Sequence, residues 1–387
     1  MATPSEEQAK SYMTKLLTAM TRAGGSDLFI STDFPPSMKS QGNMHPLGTQ
    51  KLGADITREL AHSIMNESQR EEFAKELECN FAIEIPAVAR YRVNVFVQQR
   101  NVGMVIRTIP TEMPTIEQFG LPETFKDVVM AKRGMVLMVG ATGCGKSTSL
   151  AAMIDHRNRS SAGHIITVED PVEFVHQSQK SLVTHRDVGI DTHTWYRALK
   201  NTFRQAPDVI LIGEIRDAET MDLAITFAQT GHLCLSTLHS NSASQTLDRI
   251  VNFFPDQRRA QLLMDLSSDL KAIISQRLVR TADGKGRIAA IEILLNTPIV
   301  ADKLLKGEFH ELKEIMGKSR ELGMRTFDWS LFELYDNDVI TYEEAILNAD
   351  SQNELRLNIK LNSKNPDPAA TTFIGKASPI TAGNSSR

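Results

Sequence analysis

The sequence predicts an α/β protein: a core built on a buried parallel sheet, with a separate α+β module before it and a helical part after it. Three patterns predict this. From Phe125 onward, near-continuous apolar runs of strand length alternate with helical spacing, the mark of a parallel sheet covered on both faces. Before Pro110 the strands alternate apolar and polar residues instead, as half-exposed antiparallel strands do. After Pro298 the spacing stays helical to about Leu361. A chain of 387 residues exceeds one ordinary domain, and its 41% hydrophobic and 23% charged content is ordinary for globular cores.

Residues 9–22 place Tyr12, Leu16, Leu17 and Met20 at helical spacing, and Gly24-Gly25 closes the pattern. Residues 27–31 read as a short strand before the Pro35-Pro36 turn, and residues 56–77 as a helix. Strands follow at 80–85, 91–97 and 103–109. Pro110, Pro114 and Pro122 then punctuate a linker. The core strands are expected at 135–139, 165–168, 209–212 and 233–237, with a later one at 286–295. The Ser-, Thr-, Pro-, Ala- and Gly-rich end reads as a disordered tail. The expected domain limits are therefore 1–110, a linker at 111–122, a core at 123–297, a helical part at 298–361 and a tail at 362–387.

Bulk chemistry narrows the classes. A net charge of -4 gives no global attraction to nucleic acid or an acidic membrane face, and no direct nucleic-acid contact is expected. Cys79, Cys144 and Cys234 lie far apart without a CxxC pair, which indicates neither zinc nor a disulfide framework and fits a reducing cytoplasm. The first residues lack the basic start and apolar stretch of a signal peptide. No apolar run approaches the roughly 18 residues of a transmembrane segment.

The segment Gly140-Ala141-Thr142-Gly143-Cys144-Gly145-Lys146-Ser147 fits G-x-x-x-x-G-K-[ST] at every fixed position. Glycines let backbone N–H groups converge on phosphates, and the following helix adds its positive dipole end. Lys146 supplies a charge for the β and γ phosphates, and the Ser147 hydroxyl is a ligand for Mg²⁺. An apolar strand leads in and a helical segment beginning at Thr148 leads out, the context such a P-loop requires. ATP and Mg²⁺ are thus expected, bound by Gly140 to Thr148.

Hydrolysis also needs an acid near the metal and a group that activates water. Val209-Ile210-Leu211-Ile212-Gly213-Glu214 is an apolar strand ending in an acid, about 65 residues beyond the P-loop, with Gly213 where a generic Walker-B strand carries Asp. Glu214 is expected to reach Mg²⁺. The strand at 165–168 ends in Glu169-Asp170, at the carboxyl edge where parallel sheets hold ligands, and Glu169 is the expected water-activating base. Two histidines bracket the strand at 233–237. His239 follows its carboxyl end and is expected to sense the γ-phosphate; His232 precedes it and would need a bend or a neighbouring chain to reach nucleotide.

Four blocks together resemble the type II/IV secretion ATPase superfamily (GspE/PilT type), and within it the pilus ATPases of twitching motility. They are the P-loop; Ile166 to Glu173, like an Asp box; Phe203 to Asp217, like the signature around Walker B; and Thr230-Gly231-His232 to Ala243, like a His box. Residues 90–96 and 105–110 are similar to N-terminal family segments. The resemblance implies a hexameric ring of subunits, each with a PAS-like N-terminal domain and a RecA-like core. Arginines from the N-terminal side would approach the phosphates, and Arg92 and Arg107 match those segments best.

Assembly and secretion members usually carry a tetracysteine insertion and a longer N-terminal extension, neither present in this sequence, which points to the retraction branch. Residues 300–308 depart from that branch's AIRNLIRE-type helix. The resemblance thereby implies an accessory retraction motor working with a PilT-like ATPase. It would sit at an inner-membrane platform protein, on the cytoplasmic face. The alternatives are a structural or regulatory ring subunit whose own hydrolysis is dispensable, another secretion or DNA-transport ATPase, and a small-molecule phosphotransferase.

Overall fold

A computed structural model describes residues 4–40, 43–109 and 113–365. Pro110, the first linker residues 111–112 and tail positions 366–387 lie outside the described residues. The chain divides into two compact units: residues 1–113 with 168–177 and 185–198, and the remainder.

In the first unit, α1 (Glu6–Arg22) begins at a capping box, Ser5 accepting from Gln8 N–H while the Gln8 side chain returns to Ser5 N–H. The following elements are β1 (Asp27–Ile30), β2 (Ser37–Ser40), β3 (Asn43–Pro46), α2 (Ala54–His62), α3 (Glu67–Glu76), β4 (Glu78–Ile85), β5 (Ala89–Gln98) and β6 (Asn101–Ile109). The single helix expected over 56–77 is two. Asn66 and Gln69 form a second capping box that starts α3 afresh, and Leu77 ends it in the left-handed conformation at φ 63°. The strands form one six-stranded sheet in the order β3-β2-β1-β6-β5-β4. Its neighbouring strands all pair antiparallel, and Leu28, Ile106, Val93 and Phe81 share one buried face with Met13, Leu17 and Met20 of α1. Burying each such side chain contributes about 1.5–3 kcal/mol.

The second unit carries α4 (Thr124–Val129), β7 (Gly134–Val139) and α5 (Lys146–Ser160). Next come β8 (Gly163–Glu169), β9 (Ser181–Asp187) and α6 (Trp195–Thr202), whose residues the two units share. The rest follows as β10 (Val209–Ile212), α7 (Ala218–Gln229), β11 (Leu233–Leu238), α8 (Ala243–Asn252), α9 (Arg259–Asp269), β12 (Leu270–Arg280) and β13 (Arg287–Leu295). Five helices close the described chain: α10 (Pro298–Lys306), α11 (Leu312–Lys318), α12 (Phe327–Asp336), α13 (Tyr342–Asn348) and α14 (Gln352–Asn362). Among the described residues no helix is long and apolar enough to cross a membrane.

The seven strands run β13-β12-β7-β11-β10-β8-β9. β7, β10, β11 and β12 are parallel, but β13 is antiparallel to β12, so the sheet is mixed rather than all-parallel. The reason is the short link from Arg280 to Arg287, which can turn a hairpin but cannot hold the crossover that a parallel partner needs. β7 and β11 are buried along their whole length. Beside the edge formed by β12 and β13, Val279 and Ala290 join Phe327, Leu331, Tyr335, Ile346, Leu355 and Ile359 in a cluster that seats the last helices. Arg157, buried on α5, donates to the carbonyls of Val129 and Ala131 at 2.8 Å each and so anchors the end of α4.

Candidate active site

Parallel strands bring their carboxyl ends to one edge of the sheet, and three loops of the second unit meet there. After β7 the chain turns through Gly140 (φ 151°), Gly143 (φ 75°) and Gly145 (φ 92°) before α5 opens at Lys146. These positive angles suit glycine and aim successive N–H groups into one concavity. A Cβ on Gly140 would lie 2.5 Å from both the Cys144 Sγ and the Gln276 carbonyl oxygen, so side chains are excluded by space as well as by conformation. The loop's shape and donor set fit a polyphosphate. Lys146, buried among its own loop, donates from Nζ to the carbonyls of Gly140 at 2.8 Å and Ala141 at 3.0 Å. Ser147 and Thr148 follow it in the first turn of α5, both half-buried.

β10 delivers Glu214 two residues past its end. Two hydroxyls of neighbouring β11 hold that end in place: Ser236 donates to the Ile212 carbonyl at 2.8 Å, and Thr237 to the Gly213 carbonyl at 2.6 Å. Ile215 N–H returns to the Thr237 carbonyl at 2.9 Å. Glu214 is half-buried, with its carboxylate paired to Arg216 and 3.6 Å from His239 Nε2. Burial, and next the Lys146 ammonium, push His239 below its ordinary pKa; Glu214 opposes them. Its imidazole is therefore neutral near pH 7. Arg249 of α8 donates to the His239 carbonyl at 2.6 Å and fixes the loop. Lys146, Glu214 and His239 thus gather at one edge.

His232 does not join them. Its carbonyl accepts from Gly134 N–H at 3.0 Å, at the start of β7, while the P-loop begins beyond that strand's far end. Six residues of strand put it about 20 Å away. Its Nδ1 lies 3.0 Å from Thr230 Oγ1 and 3.1 Å from the Phe227 carbonyl, and its ring edge meets Phe203 and Phe227.

The first unit carries the other sequence-predicted residues. Glu169 closes β8, half-buried, 3.5 Å from Glu173 N–H. Arg92 and Arg107 are direct cross-strand partners on β5 and β6 and share the sheet face opposite the helices' core. Arg92 is exposed, and Arg107 donates from Nε to the buried Asp27 at 2.7 Å. Arg90 pairs with buried Asp187 at 3.2 Å; burial raises that carboxyl, while Val172 N–H and Arg90 oppose it. Close by in sequence, His176 N–H donates to His185 Nε2 at 3.0 Å, and burial drives His176 down to about 3. That pair is a neutral packing element.

Two buried polar residues that brace the site's loops escaped sequence reasoning. Gln276 of β12, buried, touches the P-loop from beneath: its Nε2 donates to the Cys144 carbonyl at 2.7 Å. Buried Glu292 of β13 accepts from Ala243 N–H at 2.7 Å, at the first turn of the helix after the His239 loop, and from Ser275 Oγ at 2.9 Å. The available signal was a polar residue inside an apolar run, Ile273-Ile274-Ser275-Gln276 and Ile291-Glu292-Ile293, which calls for an internal partner.

Residues 49–312 match the family described as "Type II/IV secretion system protein". The chain is 57% identical over 350 residues to the type IV pilus ATPase PilU of Pseudomonas aeruginosa, covering 90% of this chain and 92% of that protein. It is 42% identical over 333 residues to the pilus retraction ATPase PilT of the same organism, covering 86% and 96%. Among solved structures, the pilus retraction motor PilT with bound ADP superposes with a TM-score of 0.82 at 35% identity, covering 87% of this chain and 98% of that one.

Proposed function

The chain belongs to the type II/IV secretion system protein family, and from that premise we propose that it hydrolyses Mg-ATP to drive retraction of a type IV pilus. The observation that carries the proposal is the convergence of Lys146, Glu214 and His239 at one edge of the sheet, beside a loop whose Gly140 and Gly145 have no room for a side chain. In this reading the role is that of an accessory, PilU-like motor acting with a PilT-like ATPase at an inner-membrane platform protein, on the cytoplasmic face.

The proposed organisation is a PAS-like α+β domain at 1–110, a linker at 111–122, a RecA-like core at 123–297, a helical part at 298–361 and a tail at 362–387. Six such subunits form a ring. ATP lies on Gly140 to Thr148, with Lys146 turned from its loop carbonyls to the β and γ phosphates. The Ser147 hydroxyl and Glu214 hold the metal. Mg²⁺, when bound, neutralises phosphate charge and polarises the transferring group. Glu169 takes a proton from the attacking water as its oxygen bonds to the γ-phosphorus; the bond to the β-phosphate oxygen breaks and ADP carries the electron pair away. A neutral His239 suits a hydrogen bond to the γ-phosphate. Arg92 and Arg107 of a neighbouring subunit add charge to the site, and His232 would contribute only to a neighbour's nucleotide.

Phosphate release from purified Lys146→Ala and Glu214→Ala variants tests this. Turnover should fall at least a hundredfold in each, with melting temperature within a few degrees of wild type. Undiminished release from either would sink the assignment. A second reading, a ring subunit whose hydrolysis is dispensable, is favoured by the departure of residues 300–308 from the retraction branch's helix. Full twitching in cells carrying Lys146→Ala beside a working PilT-like ATPase would favour it.

A further inference from the structure

A buried contact to the P-loop comes from the strand beside β7. β12 lies parallel to β7, with Ser275 level with Val139, so the next residue, Gln276, sits under the loop as it leaves the strand. Its side chain is 3% exposed and both ends are used: Nε2 donates to the Cys144 carbonyl at 2.7 Å, and Oε1 accepts from Ser149 Oγ at 2.8 Å. One amide therefore ties the middle of the loop to the first turn of α5. The same residue sets two of the loop's glycines. A Cβ on Gly145 would lie 2.7 Å from Gln276 Nε2, and one on Gly140 would lie 2.5 Å from the Gln276 carbonyl oxygen.

We infer that Gln276 is a positioning residue for nucleotide: by holding the Cys144 carbonyl inward, it turns the N–H group of Gly145 outward to the phosphates. Peptide planarity makes this follow, because the Cys144 carbonyl and the Gly145 N–H belong to one rigid unit and point in opposite directions. Ser149 orients the amide, so that its nitrogen and not its oxygen faces Cys144. Gln276 touches no phosphate. Its effect passes through the backbone.

The inference rests on the ATP-binding reading, and an equilibrium titration separates the two. A fluorescent ATP analogue with Mg²⁺ is titrated into full-length wild type, Gln276→Glu, Gln276→Met and Ser149→Ala at pH 6, 7 and 8. An ionised glutamate would set a second oxygen against the Cys144 carbonyl, whereas a protonated one restores a donor there. The Gln276→Glu deficit should therefore be roughly tenfold at pH 8, of the order set by one buried hydrogen bond, and should shrink as pH falls. Gln276→Met, equal in length but without either bond, should be weakened at all three pH values. Ser149→Ala should lie between it and wild type, and serves if Gln276 variants do not fold. Binding within twofold of wild type throughout, or a Gln276→Glu deficit that ignores pH, overturns the inference. Failure of wild type itself to bind overturns the ATP reading instead.

Discussion

Replacing Glu292 should separate the acceptor it provides from the charge it carries. The residue is 2% exposed on β13, and a single oxygen, Oε1, accepts from Ala243 N–H at 2.7 Å and from Ser275 Oγ at 2.9 Å. Both donors are fully buried. Glu292→Leu strands them, and each buried donor left unpaired costs about 1–3 kcal/mol, for a loss of about 2–6 kcal/mol. In a unit of this size that lowers the apparent melting temperature by roughly 2–4 °C per kcal/mol. Glu292→Gln keeps an oxygen for both donors and removes the charge. Burial raises the Glu292 carboxyl above its ordinary value, and the two donors only oppose this. A raised folded pKa means that its contribution is full below the unfolded value and is lost as pH rises through the folded one. Glu292→Gln should therefore melt at or above wild type at pH 8, with the gap closing toward pH 5, while Glu292→Leu melts well below at both. Thermal melts across pH 5–8 measure this. If Glu292→Gln falls as far as Glu292→Leu at pH 8, the ionised carboxylate itself is needed and the reasoning fails.

Two more outcomes follow from named contacts. Because burial and Lys146 hold His239 below its ordinary pKa, the acid limb of turnover should have its midpoint below the ordinary histidine value; His239→Asn should lose that acid limb, and an unchanged pH–rate profile would refute the assignment. Arg277 donates to the carbonyls of Asn348 and Asn241, pairs with Asp350 at 2.7 Å and stacks 3.9 Å over the Phe327 ring, so Arg277→Lys should destabilise by about 1–3 kcal/mol, read as a lower denaturant midpoint.

The fold was legible where one local pattern sufficed. The strand expected at 209–212 is β10 residue for residue, since an apolar run bounded by Pro207-Asp208 and Gly213 has one reading. β12 was not legible. It starts at the residue after α9, without any turn residue between Asp269 and Leu270, so helical and strand spacing run together. β2, β3 and β9 stand outside the central strands and carry short or polar sequences whose pairing depends on partners far along the chain. The divided helix at 56–77 was readable after all, from Asn66 and Gln69, but its capping box interrupts a pattern that otherwise looks continuous.

The site divides by the same physics. Glycines, a lysine and a terminal carboxylate announce themselves because their chemistry is local to a few consecutive residues. What holds them does not: Ser236 and Thr237 brace the end of β10 from β11, Gln276 braces the P-loop from β12, and Glu292 braces the first turn of α8 from β13. Each brace is a buried polar side chain beside apolar residues of its strand, and each reaches a backbone group of the neighbouring element. A buried polar atom without a partner costs about 1–3 kcal/mol, so such residues persist only where the fold supplies one. The supports on β12 and β13 therefore become readable once the strand order is known. Lys146 and Glu214 needed no strand order to be found, but holding their loops at one edge does.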